Sequence, residues 1–147
     1  MSIIYLDTSA LLKQYIGEPG AEDVEQLIDK ADGTGTVEVT KAEIASAMSR
    51  TMRAGMISPD EGQDAWKEFL KDWPFITVLV VSTRLVERAA SLAWKYRLRG
   101  YDAVHLAASM LWQETLTAPV TLATFDRELW LAGGETGMSV WPEGLVT

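Results

Sequence analysis

Four acidic residues stand where side chains could do chemistry. Asp7 ends the apolar run Ile3-Ile4-Tyr5-Leu6, and Glu43 follows Thr40-Lys41-Ala42. Asp102 opens the stretch Asp102-Ala103-Val104-His105-Leu106-Ala107-Ala108, and Asp126 follows Thr124-Phe125. Each has an ordinary reading beside a functional one. Aspartate is a good helix N-cap, and Thr40 with Glu43 matches a capping box. What joins the four is their address. Asp7, Glu43 and Asp126 fall where a strand hands over to a helix, and Asp102 begins an alanine-rich, apolar helix. In a parallel sheet, strand ends of one kind share one rim, so these carboxylates are expected to converge there.

Carboxylates crowded within a few ångströms resist ionising together. A divalent cation removes that conflict, and oxygen donors without Cys or His partners select a hard ion, Mg²⁺ or Mn²⁺. Such an ion polarises phosphoryl oxygens and lowers the pKa of water, so the expected chemistry is metal-assisted phosphodiester hydrolysis. Asp7, Asp102 and Asp126 are the expected metal ligands. Glu43 either joins them, directly or through water, or orients the attacking water. His105 lies one helical turn after Asp102 on the same face. It suits proton transfer or a hydrogen-bonded helix histidine; the second reading leaves it outside the site.

Positioning these acids requires alternating strands and helices. Ile3 to Leu6 reads as a strand buried on both faces. Ser9 to Ile16 reads as helical, ending at Gly17-Glu18-Pro19-Gly20, and Ala21 to Ala31 as a second helix. A loop over Asp32-Gly33-Thr34-Gly35 precedes a short strand, Thr36 to Val39, containing Glu38. The capping box at Thr40 opens a helix to about Ala54, and Ser58-Pro59-Asp60-Glu61 starts another carrying Trp66, Phe69 and Trp73. Those aromatics read first as core. Ile76 to Val81 is the most evident buried strand, capped by Ser82 or Thr83 into a helix that Gly100 closes. A helix from Ala103 to Trp112, a strand from Val120 to Thr124, a short helix from Asp126 to Gly133-Gly134 and an edge strand, Met138 to Trp141, complete the chain. Strands separated by helices throughout predict an α/β protein with a parallel sheet between helical layers. The 147 residues are expected to form one domain, 1–147.

No apolar run reaches the roughly 20 residues of a membrane span. The N-terminus carries no secretory signal pattern, and the absence of cysteine fits a cytoplasmic protein without disulfides or thiol chemistry. One histidine makes a histidine-built zinc site a poor reading. The net charge of −8 is the opposite of a generic nucleic-acid binder. Contact with nucleic acid must therefore be local, and Lys95, Arg97 and Arg99 form the densest basic group. That group suits either RNA phosphates or a solvated helix end.

Taken in order, Leu6-Asp7-Thr8-Ser9-Ala10-Leu11, Thr40-Lys41-Ala42-Glu43-Ile44, Tyr101-Asp102-Ala103-Val104-His105-Leu106-Ala107 and Thr124-Phe125-Asp126-Arg127-Glu128-Leu129 resemble the motifs of PIN-domain nucleases, and most closely the VapC-like toxins of toxin–antitoxin pairs. The resemblance spans the chain. It implies a three-layer α/β/α sandwich, a Mg²⁺- or Mn²⁺-dependent endoribonuclease acting through Asp7, Glu43, Asp102 and Asp126, a homodimer, and a neutralising antitoxin that reaches the acidic site with a basic side chain. The competing reading is a silent PIN-like scaffold that binds RNA or a regulatory partner; retention of all four acids disfavours it. A phosphoaspartate signalling domain would need an acceptor aspartate after the third strand, where Ser82-Thr83 stand instead. A dinucleotide enzyme would need a glycine fingerprint after the first strand, and none is present.

Overall fold

The computed structural model describes residues 1–145; residues 146 and 147, the end of the expected domain, lie outside the described residues. Strands β1 (Ile3–Leu6), β2 (Gly33–Val37), β3 (Thr77–Leu79), β4 (Val120–Ala123) and β5 (Ser139–Trp141) form one sheet. Their order is β3-β2-β1-β4-β5, and every pairing is parallel. Helices α1 (Thr8–Leu12), α2 (Ala21–Lys30), α3 (Thr40–Arg53), α4 (Pro59–Asp72), α5 (Thr83–Tyr96), α6 (Gly100–Leu116) and α7 (Arg127–Glu135) connect them. No helix among the described residues is long and apolar enough to cross a membrane.

The alternation of side chains along β1 divides the core in two. Ile3 and Tyr5 face a cluster built with α5, α6 and α7, whereas Ile4 and Leu6 face one built with α1 to α4. The product is an α/β/α sandwich around a parallel sheet, as the alternation of elements predicts. Tyr5, Leu6 and Phe69 are fully buried, each worth roughly 1.5–3 kcal/mol as apolar burial. Phe69 stacks on Trp66 and meets Trp73 and Tyr15, so the aromatic stripe of α4 is core in part.

The structure corrects several local readings. β2 begins at Gly33, inside the expected loop, because Gly-Thr-Gly-Thr is held by ladders to β1 and β3 on either side. Gly35 is there for space: a Cβ would sit 2.6 Å from the Trp112 ring. Glu38 falls beyond the strand, where its carboxylate accepts from the Val81 N–H. Ile76 to Val81 supplies only a three-residue edge strand, with Val80 exposed, because β3 has a neighbour on one side alone. The first helix is a single short segment followed by turns.

At the end of α5, Arg97 takes the left-handed conformation (φ 57°), and the Leu98 N–H reaches Ala93 O at 3.2 Å. This is the Schellman closure normally given to glycine. Gly100 is thereby freed to begin α6 rather than end α5, which places Arg99 at the N-cap of α6 and Asp102 in its first turn.

Candidate active site

The strand order reverses between β1 and β4, since the chain passes to β2 on one side of β1 and returns to β4 on the other. Ligand crevices of open α/β sheets form at the carboxyl ends of strands flanking such a reversal. Asp7 leaves β1 there, with its N–H on Ala123 O at 3.1 Å, and Asp126 follows β4.

Asp7 is 3 % exposed. Its Oδ1 accepts from the Ala10 N–H at 2.9 Å and from Ser9 Oγ at 2.7 Å, and its Oδ2 accepts from Thr124 Oγ1 at 2.5 Å. The capping role is therefore real, and it occupies one oxygen. Burial pushes the Asp7 carboxyl above the ordinary carboxylate range, an effect that His105 and these hydrogen bonds only partly offset. Thr124 also accepts from the Asp126 N–H at 3.0 Å, tying the two strand ends together. Asp126 caps α7 through Oδ1, which accepts from the Leu129 N–H at 3.0 Å.

Asp102 lies in the first turn of α6, near the positive end of that helix. Burial raises its pKa, and the neighbouring charges of Asp126 and Asp7 raise it further, while Arg99 and His105 act the other way. The Arg99 side chain, 77 % exposed, reaches back between the acids. Its Nε donates to Asp102 Oδ2 at 3.4 Å and its Nη2 to Asp126 Oδ2 at 3.0 Å. One guanidinium thus bridges two carboxylates from different elements.

Glu43 belongs to a second network. Thr40 does not cap α3; its hydroxyl pairs with Thr36 Oγ1 at 2.8 Å, and the expected capping box is not made. Glu43 turns instead toward α1 and α6. Its Oε1 accepts from Thr8 Oγ1 at 2.7 Å and lies 2.9 Å from His105 Nε2. Nε2 faces Glu43 and Nδ1 lies 2.8 Å from the Tyr5 hydroxyl, so both nitrogens of the buried imidazole have a hydrogen-bond partner. Burial acts to raise the Glu43 pKa, but the hydrogen bond and charge of His105, with the Thr8 hydroxyl, outweigh it and hold Glu43 below its usual value.

The four acids thus form two adjoining sets: Asp7, Asp102 and Asp126 around Thr124 and Arg99, and Glu43 on His105 and Thr8. Among the described residues, no three acidic or histidine side chains are arranged to hold a metal ion. The donor set nonetheless fits a hard cation. It is all oxygen, Asp102 is burdened by two like charges, and the place between Asp102 and Asp126 is already taken by a positive group on an exposed side chain. The expected basic group is split: Arg99 is engaged by the acids, Arg97 closes α5, and Lys95 Nζ lies 5.2 Å over the Tyr96 ring. The bridging role of Arg99 carried no local signal beyond its i,i+3 spacing to Asp102. His105, set aside on sequence grounds, is the hub of the Glu43 network.

Comparison with known proteins identifies the family and the fold. The PIN domain family matches residues 4–132. Ribonuclease VapC47 of Mycobacterium tuberculosis (strain CDC 1551 / Oshkosh) is 30 % identical over 146 residues, covering 98 % of this chain and 99 % of the relative. Among solved structures, Mycobacterium tuberculosis VapC20, described as a Sarcin-Ricin loop cleaving toxin, superposes with a TM-score of 0.64 at 18 % identity, covering 88 % of this chain and 95 % of that one. A toxin–antitoxin complex from Klebsiella pneumoniae contains a chain similar at TM-score 0.61 and 17 % identity, covering 84 % of this chain and 86 % of that one.

Proposed function

This chain belongs to the PIN-domain family, and on that premise we propose that it is the ribonuclease toxin of a toxin–antitoxin pair, hydrolysing RNA phosphodiester bonds with the help of Mg²⁺ or Mn²⁺. The observation that carries this reading is the gathering of Asp7, Asp102 and Asp126 at the strand reversal, in a chain that aligns end to end with a curated ribonuclease. A hard divalent cation supplies Lewis acidity toward the phosphoryl oxygens and activates water. Asp7, Asp102 and Asp126 hold that cation. Thr124 and Ser9 fix the Asp7 carboxylate, and α7 fixes Asp126 by its own cap. Glu43, kept ionised by His105 and Thr8, completes the cation's surroundings or orients the attacking water and accepts its proton. Lys95 and Arg97, with Arg99 once it is released, meet RNA phosphates beside the acids.

The partner reading rests on the family and on a similar chain in a toxin–antitoxin complex, and charge suits it. A chain of net charge −8 with an acidic rim suits an antitoxin that offers a basic side chain. The protein works as a homodimer in the cytoplasm, as one domain over residues 1–147.

The test is cleavage of a structured RNA by the purified chain in Mn²⁺ or Mg²⁺, against EDTA and against Asp7→Asn and Asp102→Asn. Activity is expected only for the wild type with metal, and both variants are expected to lose Mn²⁺ binding. Equal degradation by all three proteins would identify a contaminant and remove the site.

A further inference from the structure

Glu43 does not only meet His105 and Thr8. With Thr8, Ser46, Ala47, Arg50 and Tyr101, among others, it lines a cavity of about 370 Å³, within the roughly 300–1,000 Å³ of small-molecule sites. Glu43, Ser46 or Ala47, and Arg50 succeed one another along one face of α3 at three- and four-residue spacing. That face therefore runs from a carboxylate beside the site to a guanidinium further out. Arg50 Nη1 donates to the neutral Ser46 hydroxyl at 2.9 Å, and Arg50 enters no ion pair among the described residues. The positive charge is thus left for a partner in a chain with few cations. Tyr101 forms another part of the wall, one residue before Asp102, and is 62 % exposed. A large aromatic ring kept in water at the mouth of a cavity has surface to offer a flat ligand.

We propose that this cavity is a nucleobase subsite, in which the Tyr101 ring stacks on a base next to the scissile phosphate and Arg50 contacts the adjoining phosphate. The inference deepens the nuclease reading and rests on it. Its chemistry is that of single-strand binding, in which base–aromatic stacking tolerates any base and a cation tracks the backbone. The subsite therefore contributes affinity and register rather than a strict choice of base. It also places a paired nucleotide at a disadvantage, since the ring needs an unstacked face.

The test uses the full chain in EDTA, with binding of a short labelled oligouridylate followed by fluorescence anisotropy and cleavage assayed separately in Mn²⁺. Tyr101→Ala and Tyr101→Leu are expected to weaken binding about 5- to 100-fold, and Tyr101→Phe to stay within about twofold of wild type. Arg50→Gln is expected to weaken binding and to reduce the slope of log affinity against log salt by about 0.7. Tyr101 packs little of its surface, so unchanged melting temperatures are expected for its variants. Wild-type affinity in Tyr101→Ala or Tyr101→Leu overturns the proposal. So does a loss in Tyr101→Phe as large as in Tyr101→Ala, and so does a changed oligomeric state with unaltered RNA binding, which would make the ring a protein contact. A wild type that cuts RNA while Tyr101→Ala binds and cuts identically refutes the subsite alone; a wild type that neither binds nor cuts RNA refutes the nuclease reading with it.

Discussion

Replacing Thr124 by valine isolates the coupling that holds the site together. The Thr124 hydroxyl is fully buried, donates to Asp7 Oδ2 at 2.5 Å and accepts from the Asp126 N–H at 3.0 Å. Valine keeps the shape and removes both bonds. A hydrogen bond to a charged group is worth about 1.5–3 kcal/mol, and orphaning the Asp126 N–H adds roughly 1 kcal/mol. A loss of about 2.5–4 kcal/mol follows in EDTA where Asp7 is ionised, or roughly 5–15 °C in Tm for a chain near this length. The pH dependence gives the sharper check. Burial holds the folded-state pKa of Asp7 above its unfolded value, so the folded state binds the proton more tightly. The cost of Asp7 is therefore absent below the unfolded pKa, grows as pH rises from it, and is complete above the raised folded pKa. Thr124 favours the ionised form, so its removal raises the folded pKa further. The valine penalty must then be larger at a pH above the raised folded-state pKa than at a pH below the ordinary carboxylate range. Urea unfolding followed by circular dichroism at both pH values measures it. In an Asp7→Asn background the same substitution should cost only about 1 kcal/mol, since the charged acceptor is gone. A penalty equal at both pH values, or below about 0.5 kcal/mol at the higher one, would refute the assigned role of the hydroxyl.

Arg99→Gln should tighten Mn²⁺ binding about two- to tenfold by removing the guanidinium that occupies Asp102 and Asp126, as expected for displacing exposed ion pairs. Arg97→Gln, an equal change of charge two residues away, should leave it unchanged; calorimetric titration decides, and equal effects would reduce the bridge to general electrostatics. His105→Ala should release Glu43 and leave the buried Tyr5 hydroxyl unpaired. Cleavage should fall about 10- to 100-fold, the usual scale for a residue that orients a ligand. His105→Gln, which can still donate to Glu43, should recover part of that loss in a steady-state cleavage assay, and full activity in His105→Ala would remove the positioning role.

Much of this architecture is written in short-range signals. The apolar run into Asp7, the helix start at Ser58-Pro59-Asp60-Glu61, the Ser82 cap and the Asp126 cap each depend on residues within about one turn, and each forms as read. The alternation of strands and helices likewise announces a parallel sheet with the acids on one rim. What lay beyond reach was the choice of partner. Thr40 and Glu43 have every local reason to cap a helix, yet each finds a better partner across the fold, in Thr36 and in His105 with Thr8. Gly-Thr-Gly-Thr becomes strand because two neighbours already offer their edges, and Arg97 spares Gly100 by taking the left-handed turn itself. Arg99 bridging two acids required both α6 and α7 to be in place. Local propensities differ by fractions of a kcal/mol, whereas a buried polar group without a partner costs about 1–3 kcal/mol. Where the two conflict, the packed interior selects the contact, and that selection is visible only once distant segments share one surface.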